Sequence, residues 1–467
     1  MRAISGFFVA VTLAAPALVQ AAPAPDLARA EARTLDLAKR LIAIRSVRGE
    51  GNATPQAQQL VKDALVAAGW KDSEVEIVPV DDTAYLMATW PGSDAILKPL
   101  VISGHIDVVE AKPADWQRDQ FTPVVENGYL FGRGASDMKF DAALAVSTLI
   151  ALREAGYAPR RAIVIAFSGD EETTMKTSRL MAQRLKGADM VYNVDGGGGA
   201  FDEATGKPLY WSWDGAEKAY DDYRLEVTNP GGHSSAPTAT NAIVDLAGAL
   251  TRIGAYRFPT EISPLTKSFF ESAAKFESNP KLAAAMRAFA ANKDDAEAVA
   301  TLRASPTYVG KIGTTCVPTL LSGGHAENAL PQRATANINC RVFPGHSREE
   351  IRQALEKIAA TPGLTVTATS GEDSISSPAS PMRADFTAAV AKALGKAWPG
   401  TPIVPSQASG ASDSMWFRAL GVPAFNASPL FSKDSDSFAH GLNERIVLRN
   451  TRPALVFYSS VFTDLTK

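Results

Sequence analysis

Short apolar runs and helical repeats alternate along the first half of the chain. Runs typical of buried strands begin at Leu100, Arg161 and Met190, and residues 141–154 between the first two repeat apolar side chains at helical spacing. Strands that alternate with helices in this way predict an α/β fold with a mixed, largely parallel sheet sandwiched by helices. In such sheets, functional side chains collect beyond the carboxyl ends of the strands.

The pattern changes after about residue 213. A helix is predicted from Ala242 to Ala255, and an Ala-rich region at about 260–305 has the composition of further helices. The α/β pattern returns from about Met382. We therefore expect a smaller α+β domain inserted into the first domain, with the inserted domain at 214–377 and the large domain at 23–213 and 378–467.

Residues 1–22 have the three parts of a secretory signal peptide. Arg2 supplies the positive charge, an apolar run follows from Ile4, and Ala21 and Ala22 end a zone of small residues suited to cleavage. An uncleaved anchor is the alternative, although the run is short for a membrane span and contains Pro16. We expect a secreted or periplasmic protein with no membrane association after cleavage.

Charge and cysteine content narrow the classes of partner. The 467 residues carry a formal net charge of -3 at pH 7, which provides no basic surface for nucleic acid. Cys316 and Cys340 lie in strand-like segments on either side of Asn328. A disulfide between them and two reduced, buried thiols both fit this pattern, and the disulfide would suit an oxidising compartment.

Imidazole and carboxylate side chains follow the predicted strands or lie in nearby loops, and these are the donors that two-metal hydrolytic sites use. The set is His105, Asp107, Asp137, Glu171, Glu172, Asp195 and His440. Each member has an ordinary structural interpretation on its own, such as a helix N-cap for Asp137 or a solvated acidic loop for Glu171 and Glu172. Their occurrence together, in order and at strand ends, favours the metal site.

Spacing suggests two further roles within this set. His105 and Asp107 are two residues apart, so on an extended segment they point the same way, and Asp107 can orient the imidazole. The adjacent Glu171 and Glu172 repel each other unless a cation or a proton is near. One arrangement that relieves the repulsion places Glu172 on a metal and leaves Glu171 facing the water as a general base.

Charge counting is consistent with two zinc ions. The carboxylates of Asp137, Glu172 and Asp195 bring three negative charges, which two Zn²⁺ and a hydroxide balance. With neutral His105 and His440, each metal could have one imidazole, one terminal carboxylate and a share of Asp137, and a position would remain for water. Cobalt or manganese would suit the same donors.

The chain resembles the zinc exopeptidase and amidohydrolase family of glutamate carboxypeptidase, aminoacylase and succinyl-diaminopimelate desuccinylase. The resemblance rests on Ser-Gly-His105-Ile-Asp107, Gly-Arg-Gly-Ala-Ser-Asp137-Met-Lys, Asp170-Glu171-Glu172, Asp195 and His440. It implies one zinc on His105 and Asp195, a second on Glu172 and His440, a bridging Asp137, an active-site Asp107 and a general base Glu171. It also implies a cis peptide after Asp137.

The resemblance extends to the inserted segment, which would be a lid and dimerisation domain. His233 in Asn-Pro-Gly-Gly-His233 would reach the active site of a partner subunit and stabilise the oxyanion. Asn328 and Arg341 match a substrate-binding pair, in which Arg341 would clamp a substrate carboxylate. Gly410 lies in a loop that would line the substrate end of the site. A homodimer through the lid domain is thus implied.

Together these features imply a secreted, zinc-dependent exopeptidase of carboxypeptidase or dipeptidase type. Metal-bound hydroxide would attack a peptide bond next to a free carboxylate while Glu171 moves the proton. An aminoacylase-like N-acyl-amino-acid amidohydrolase would use the same chemistry and is the alternative. A non-catalytic peptide-binding protein on the same fold would have lost a ligand or the base, whereas this sequence keeps all of them.

Overall fold

The computed structural model describes residues 24–371, 374–436 and 438–467, so the predicted signal peptide at 1–22 lies outside the described residues. The helices are α1 (Leu27–Ile42), α2 (Thr54–Ala67), α3 (Lys139–Glu154), α4 (Lys176–Arg184), α5 (Ala242–Ala255), α6 (Pro264–Ala273), α7 (Pro280–Ala291), α8 (Ala296–Arg303), α9 (Pro306–Val309), α10 (Arg348–Ala359), α11 (Ala384–Ala397), α12 (Ser414–Ala419) and α13 (Thr451–Thr466).

The strands alternate with these helices in the first part of the chain and cluster in its middle. They are β1 (Val75–Val80), β2 (Thr83–Trp90), β3 (Leu100–His105), β4 (Val124–Glu126), β5 (Tyr129–Phe131), β6 (Ile163–Ser168), β7 (Met190–Asn193), β8 (Gly198–Phe201), β9 (Pro208–Glu217), β10 (Ala219–Thr228), β11 (Gly232–His233), β12 (Thr315–Gly323), β13 (Ala329–Leu330), β14 (Arg333–Val342), β15 (Leu364–Ala368), β16 (Ile403–Ala408), β17 (Ala424–Asn426), β18 (Phe431–Ser432) and β19 (Arg445–Val447).

The large sheet is mixed and has a parallel centre. Its strand order is β1-β2-β6-β3-β7-β17-β9-β8-β18, and β16 pairs with β9. Strand β3 runs parallel to β6 and β7, and β17 runs parallel to β7. The pairs β1–β2, β2–β6 and β8–β9 are antiparallel. This arrangement confirms the predicted α/β class.

Side chains of the central strands alternate between two cores. Ile102 and Ile165 point to the core shared with α1, α3 and α13, whereas Val101 and Val164 point to the core shared with α4 and α12. Successive side chains of a strand face opposite sides, so a strand covered on both faces is apolar throughout. The sheet is therefore sandwiched by helices, as its continuous apolar runs predicted.

The inserted segment forms a second sheet with a core of its own. Its order is β12-β14-β10-β15, and α5 and α10 pack on it. Cys316 lies opposite Cys340 in the antiparallel β12–β14 pair, and the two form a disulfide. The sequence alone was compatible both with this disulfide and with two reduced thiols.

The helical region at about 260–305 differs from expectation. We placed it in the inserted domain, but α6 packs against β16 of the large sheet, and α7 and α8 join them in a core that includes Phe270, Phe289 and Val404. Helical periodicity shows that a helix buries one face but not which sheet that face meets. The strand β9 also continues to Glu217, beyond the predicted change at about 213.

None of the helices in the described ranges combines the length and the apolar character that a membrane span requires.

Candidate metal centre

The carboxyl ends of three neighbouring parallel strands meet at one edge of the large sheet. His105 is the last residue of β3, Glu171 and Glu172 follow β6, and Asp195 follows β7. Because β3 lies between β6 and β7, the side chains after these strands converge. The sequence predicted that these groups meet, and this strand order brings them together.

Three groups of donors lie close enough to hold metal ions. In each group, one ligand atom per residue lies within 4.8 Å of the others. The groups are His105, Asp137 and Asp195; Asp137, Glu172 and His440; and His105, Glu171 and Glu172. The first two share Asp137, which is the arrangement that a bridging carboxylate between two metals requires.

His105 is buried, and both of its ring nitrogens contact oxygen atoms. Its Nδ1 lies 3.1 Å from the backbone oxygen of Asp107, and its Nε2 lies 3.1 Å from Oδ1 of Asp137 and 4.0 Å from Oδ2 of Asp195. Burial alone lowers the pKa of His105, but hydrogen bonds to Asp107 and Asp137 outweigh it and raise this pKa well above its ordinary value. Nε2 is thus the nitrogen that faces the shared carboxylate.

Asp137 receives a second imidazole from the far end of the chain. Nε2 of His440 lies 3.2 Å from Oδ2 of Asp137 and 2.9 Å from Oε1 of Glu172. Burial raises the pKa of Asp137, but hydrogen bonds from His105 and His440 reverse this effect and lower it. Hydrogen bonds to Asp137 and Glu172 raise the pKa of His440 to about 10. The Asp137–Met138 peptide is cis, as the family resemblance implied.

Asp107 does more than the orienting role predicted for it. Its carboxylate lies 3.6 Å from Nδ1 of His105. Its two oxygens also accept hydrogen bonds from the backbone amides of Glu171, at 3.2 Å, and Glu172, at 3.0 Å. Asp107 therefore holds the imidazole of β3 through its backbone oxygen and the loop that follows β6 through its carboxylate.

The remaining carboxylates at this edge are held in surroundings that favour protons. Burial raises the pKa of Glu171 well above its ordinary value, and the nearby Asp195 and Glu172 add to this effect. Burial, with Asp137 and Asp413 nearby, raises the pKa of Asp195 to about 7. Buried carboxylates this close together repel one another unless protons or cations lie among them. Two imidazoles and these carboxylates form the nitrogen and oxygen donor set that zinc, cobalt or manganese takes.

Glu444 is a residue of this centre that the sequence did not reveal. It is fully buried and accepts hydrogen bonds from Nη1 of Arg133 at 2.7 Å and from the backbone amides of Gly134, Ser136 and Asp137 at 3.1, 2.8 and 3.0 Å. It thereby fixes the loop that presents Asp137. Its only sequence signal is its position four residues after His440, and nothing in the sequence pairs it with the loop at 132–137.

A cavity of about 260 Å³ adjoins the metal centre. Asp137 and Asp195 lie on its wall, and much of the remaining wall is apolar. Apart from Met138, the apolar side chains come from the segment between β17 and α13: Leu430, Phe431, Phe438, Ala439, Ile446 and Val447. Glu171 is not among the residues that line this cavity.

The four substrate residues predicted from the resemblance lie elsewhere. His233 and Asn328 are exposed neighbours in the inserted segment, where Ser234 donates a backbone hydrogen bond to the carbonyl of Asn328. Arg341 ends near the junction of the two sheets with its guanidinium 4.7 Å from the Tyr220 ring centre. Gly410 is exposed in the loop after β16. Among the contacts of the described residues, none joins these four to the metal-ligand set.

Comparison with known proteins shows the family. A family model described as peptidase family M20/M25/M40 matches residues 101–464, which include every predicted metal ligand. The chain is 27% identical over 380 residues to the N-fatty-acyl-amino acid synthase/hydrolase PM20D1.1 of Danio rerio, covering 79% of this chain and 72% of that protein. It is 25% identical over 409 residues to the probable carboxypeptidase S-like 2 of Dictyostelium discoideum, covering 82% and 74%.

The fold is also that of a solved relative. The M20 family metallo-carboxypeptidase Sso-CP2 from Sulfolobus solfataricus superposes with a TM-score of 0.69 over 93% of this chain and 99% of that one. The two sequences are 20% identical, so this likeness concerns the fold.

Proposed function

The chain belongs to peptidase family M20/M25/M40, and from this premise we propose that it is a metal-dependent exopeptidase of carboxypeptidase or dipeptidase type. It is a hydrolase of peptide or amide bonds, and the proposed substrate carries a free carboxylate next to the scissile bond. One observation carries the proposal: two groups of metal donors share Asp137, and Glu171 lies beside them in a third group with His105 and Glu172.

The residues present fit two metal ions. His105 and Asp195 would hold one, Glu172 and His440 the other, and Asp137 would bridge them. When bound, two divalent ions such as Zn²⁺ polarise the scissile carbonyl and make water a stronger acid. Zinc is the proposed metal, and Co²⁺ or Mn²⁺ would suit the same donors.

Glu171 is the proposed general base. Its carboxylate lies within the donor group of His105 and Glu172, and Asp107 fixes its backbone amide. From there Glu171 can accept a proton from the attacking water and deliver it to the leaving amine.

The substrate carboxylate would be recognised outside the metal centre. A guanidinium binds a carboxylate through two parallel hydrogen bonds, so we assign this role to Arg341, with Asn328 and Gly410 as further substrate contacts. His233 is proposed to stabilise the oxyanion. Because His233 is exposed on the small β11–β13 hairpin of the inserted segment, this role requires a partner subunit or a closing movement of the lid.

An N-acyl-amino-acid amidohydrolase is the second candidate. The name of the Danio rerio relative records an activity on N-fatty-acyl amino acids. The apolar cavity beside Asp137 and Asp195 offers room for such an acyl group. Both candidates release an amino acid with a free carboxylate, and they differ only in the acyl side of the amide.

We further propose export of the protein and a homodimer. The signal-peptide pattern at 1–22 and the disulfide between Cys316 and Cys340 support an oxidising compartment outside the cytoplasm. The exposed edge strand β12 supports an interface through the inserted domain, because an unpaired edge with apolar side chains invites a partner.

A substrate panel with matched blocked analogues tests the proposed function. The purified, zinc-loaded enzyme is assayed by amino-acid release from dipeptides and N-acyl amino acids, and from the same compounds with an amidated C-terminus. We expect hydrolysis of the free acids, loss of activity with a chelator, and at least a roughly hundredfold lower kcat/KM for the amides, because an unpaired Arg341 loses a charge-assisted contact. Equal rates on acids and amides would contradict carboxylate recognition.

A further inference from the structure

We infer that Asn193, Ser412 and Ser414 are positioning residues: their buried side chains tie the loop that contains Gly410 to the peptide that carries Asp195. The inference rests on the proposed function, because Asp195 is one of the proposed metal ligands. It adds a support for one of the two metals and connects that support to the loop proposed to contact the substrate.

Asn193 fixes the turn at which Asp195 leaves the sheet. It is the last residue of β7 and is fully buried, and its Oδ1 accepts a hydrogen bond from the backbone amide of Asp195 at 2.9 Å. An asparagine that binds the amide two residues further on holds the backbone in a turn. On the other side of Asp195 lie Gly196 and Gly197, with φ of 89° and 68°, where the backbone has more freedom. The direction of Asp195 therefore depends on Asn193.

Two serine hydroxyls hold the side-chain amide of Asn193. Its Nδ2 donates to Oγ of Ser414 at 3.0 Å and lies 3.4 Å from Oγ of Ser412. Asn426, on the neighbouring strand β17, contacts the same hydroxyls, because its Oδ1 accepts from Ser414 at 2.6 Å and its Nδ2 donates to Ser412 at 3.0 Å. All four side chains are at most 3% exposed. A buried polar network in which every member is paired is rigid.

The network reaches the junction of the two sheets through Ser412. Its hydroxyl donates to Oε1 of Glu217 at 3.2 Å. Glu217 is the last residue of β9, two residues before β10 begins in the inserted sheet, and it forms a buried ion pair with Arg418 of α12. Ser412 itself lies two residues after Gly410. Its hydroxyl thus anchors the loop proposed to contact the substrate.

The network differs from ordinary filling of a core because it ends on a metal ligand. Asp195 belongs to the donor group of His105 and Asp137, whereas the group of Glu172 and His440 does not include it. Loss of Asn193 should therefore weaken one zinc site and spare the other. A general loss of packing would weaken both sites together.

Zinc content at a controlled free zinc concentration tests the role of Asn193. At the concentration that just fills both wild-type sites, Asn193→Ala should hold about one ion per chain, because affinity at the Asp195 site falls by about 10–100-fold. Asn193→Ser should recover part of the loss, since a serine hydroxyl binds the same backbone amide more weakly. Two ions at wild-type affinity in folded Asn193→Ala would overturn the inference, and so would an equal loss at both sites.

Ser412→Ala is a smaller change and carries the test if Asn193→Ala does not fold. Zinc affinity at the Asp195 site should fall by about two- to tenfold, the size of one net hydrogen bond. The double variant should lose no more affinity than Asn193→Ala alone, because Ser412 acts on Asp195 through Asn193, and additive losses would contradict the network. Ser103→Ala is the matched control: Ser103 is equally buried on the neighbouring β3, and its hydroxyl has no hydrogen-bond partner among the described residues.

Hydrolysis of a free-acid dipeptide tests the loop end of the network. Ser412→Ala should raise KM by about two- to tenfold, whereas Ser103→Ala should leave KM unchanged. An unchanged KM in Ser412→Ala would show that Ser412 does not anchor the Gly410 loop.

The wild type separates this inference from the proposed function. If the wild type binds two zinc ions and hydrolyses the dipeptide, but neither Asn193→Ala nor Ser412→Ala loses zinc selectively, only the positioning network is wrong. A wild type that binds no zinc would overturn both.

Discussion

Neighbouring carboxylates at the metal centre differ in what each oxygen contacts. Both oxygens of Asp107 accept backbone amides, whereas Glu171 lies with His105 and Glu172 at the metal centre. Asp107 is thus suited to position the peptide that carries both glutamates, and Glu171 is suited to move a proton. The HxD spacing predicted that Asp107 acts on His105, but a spacing in one strand cannot show that its carboxylate also reaches the loop after β6.

Asp107→Asn tests that positioning role. The amide has one acceptor oxygen instead of two, so one of the two glutamate amides loses its partner. We expect kcat to fall by about 10–100-fold, the size of effect common for groups that orient metal ligands, with the circular dichroism spectrum unchanged. An unchanged kcat at full metal content would show that the two backbone hydrogen bonds do not matter for catalysis.

The buried Lys218 should make the stability of the protein depend on pH. It is buried at the junction of β9 and β10, and its Nζ donates to the carbonyl of Gly313 at 2.9 Å. Burial, together with the cations of Arg341 and Lys311, lowers the pKa of Lys218 to about 7. Since the unfolded chain keeps an ordinary lysine pKa of about 10.4, it binds more protons than the folded protein between these values, and stability contributed by Lys218 rises with pH there.

Lys218→Met should remove this dependence. The difference in the free energy of unfolding, wild type minus variant, should become more positive from pH 7 to pH 9.5, by at most about 1.4 kcal/mol per pH unit. Denaturant unfolding at several pH values measures it, and Lys281→Met, at an exposed lysine, is the control. A difference independent of pH would contradict a lowered pKa.

Two loops from distant parts of the chain contribute ligands to the metal centre. Glu444 accepts hydrogen bonds from the loop at 132–137, and Nη2 of Arg133 lies 3.5 Å from the carbonyl oxygen of His440. The ion pair between Arg133 and Glu444 therefore connects the loop that presents Asp137 with the loop that presents His440. Both partners are almost completely buried, with side-chain exposures of 3% and 0%.

Glu444→Gln should disturb both loops. Removing one partner leaves the Arg133 charge buried and unpaired, which costs about 3–5 kcal/mol in the free energy of unfolding. Because Asp137 and His440 lose a common support, zinc affinity measured by competition with a chelator should fall as well. Glu349→Gln breaks an exposed ion pair with Arg352 and is the matched control, with little change expected in either quantity. Wild-type zinc affinity in Glu444→Gln would contradict the positioning role.

Four of the predicted donors of this centre share one property. His105, Glu171, Glu172 and Asp195 follow apolar strands, so the rule for strand ends brought them together without knowledge of tertiary contacts. The Arg133–Glu444 pair spans 311 residues of sequence and has no periodic pattern, so only the folded chain shows it. The contact of α6 with β16 could not be predicted either, because the apolar face of a helix does not indicate which sheet it meets.

Two sheets with separate cores divide the molecule at the largest scale. The large sheet presents the metal centre, and the β11–β13 hairpin of the inserted segment presents His233 and Asn328 on an exposed surface. Within one subunit, the metal donors and these two proposed substrate contacts thus lie on different sheets. Completing the proposed site requires either a second subunit or a lid movement.

The edge strand β12 is where a second subunit is expected. Val317, Leu320 and Leu321 are 54%, 70% and 70% exposed on this outermost strand. We expect a dimer by analytical ultracentrifugation in wild type, and monomers in Leu320→Lys with Leu321→Lys, because charges on an edge prevent strand pairing. Ile96→Lys, at a site 93% exposed on the large domain, should remain dimeric. A fully active wild-type monomer would contradict the partner role of His233.

The central claim is that Glu171 transfers the proton at a site of two metals that share Asp137. The most direct measurement is the rate of amide hydrolysis by Glu171→Gln, paired with its zinc content, because Gln keeps the shape of the side chain but cannot take up a proton. We expect about two zinc ions per chain in both proteins and a kcat at least roughly a hundredfold lower in the variant. Hydrolysis at the wild-type rate by fully zinc-loaded Glu171→Gln would contradict proton transfer by Glu171.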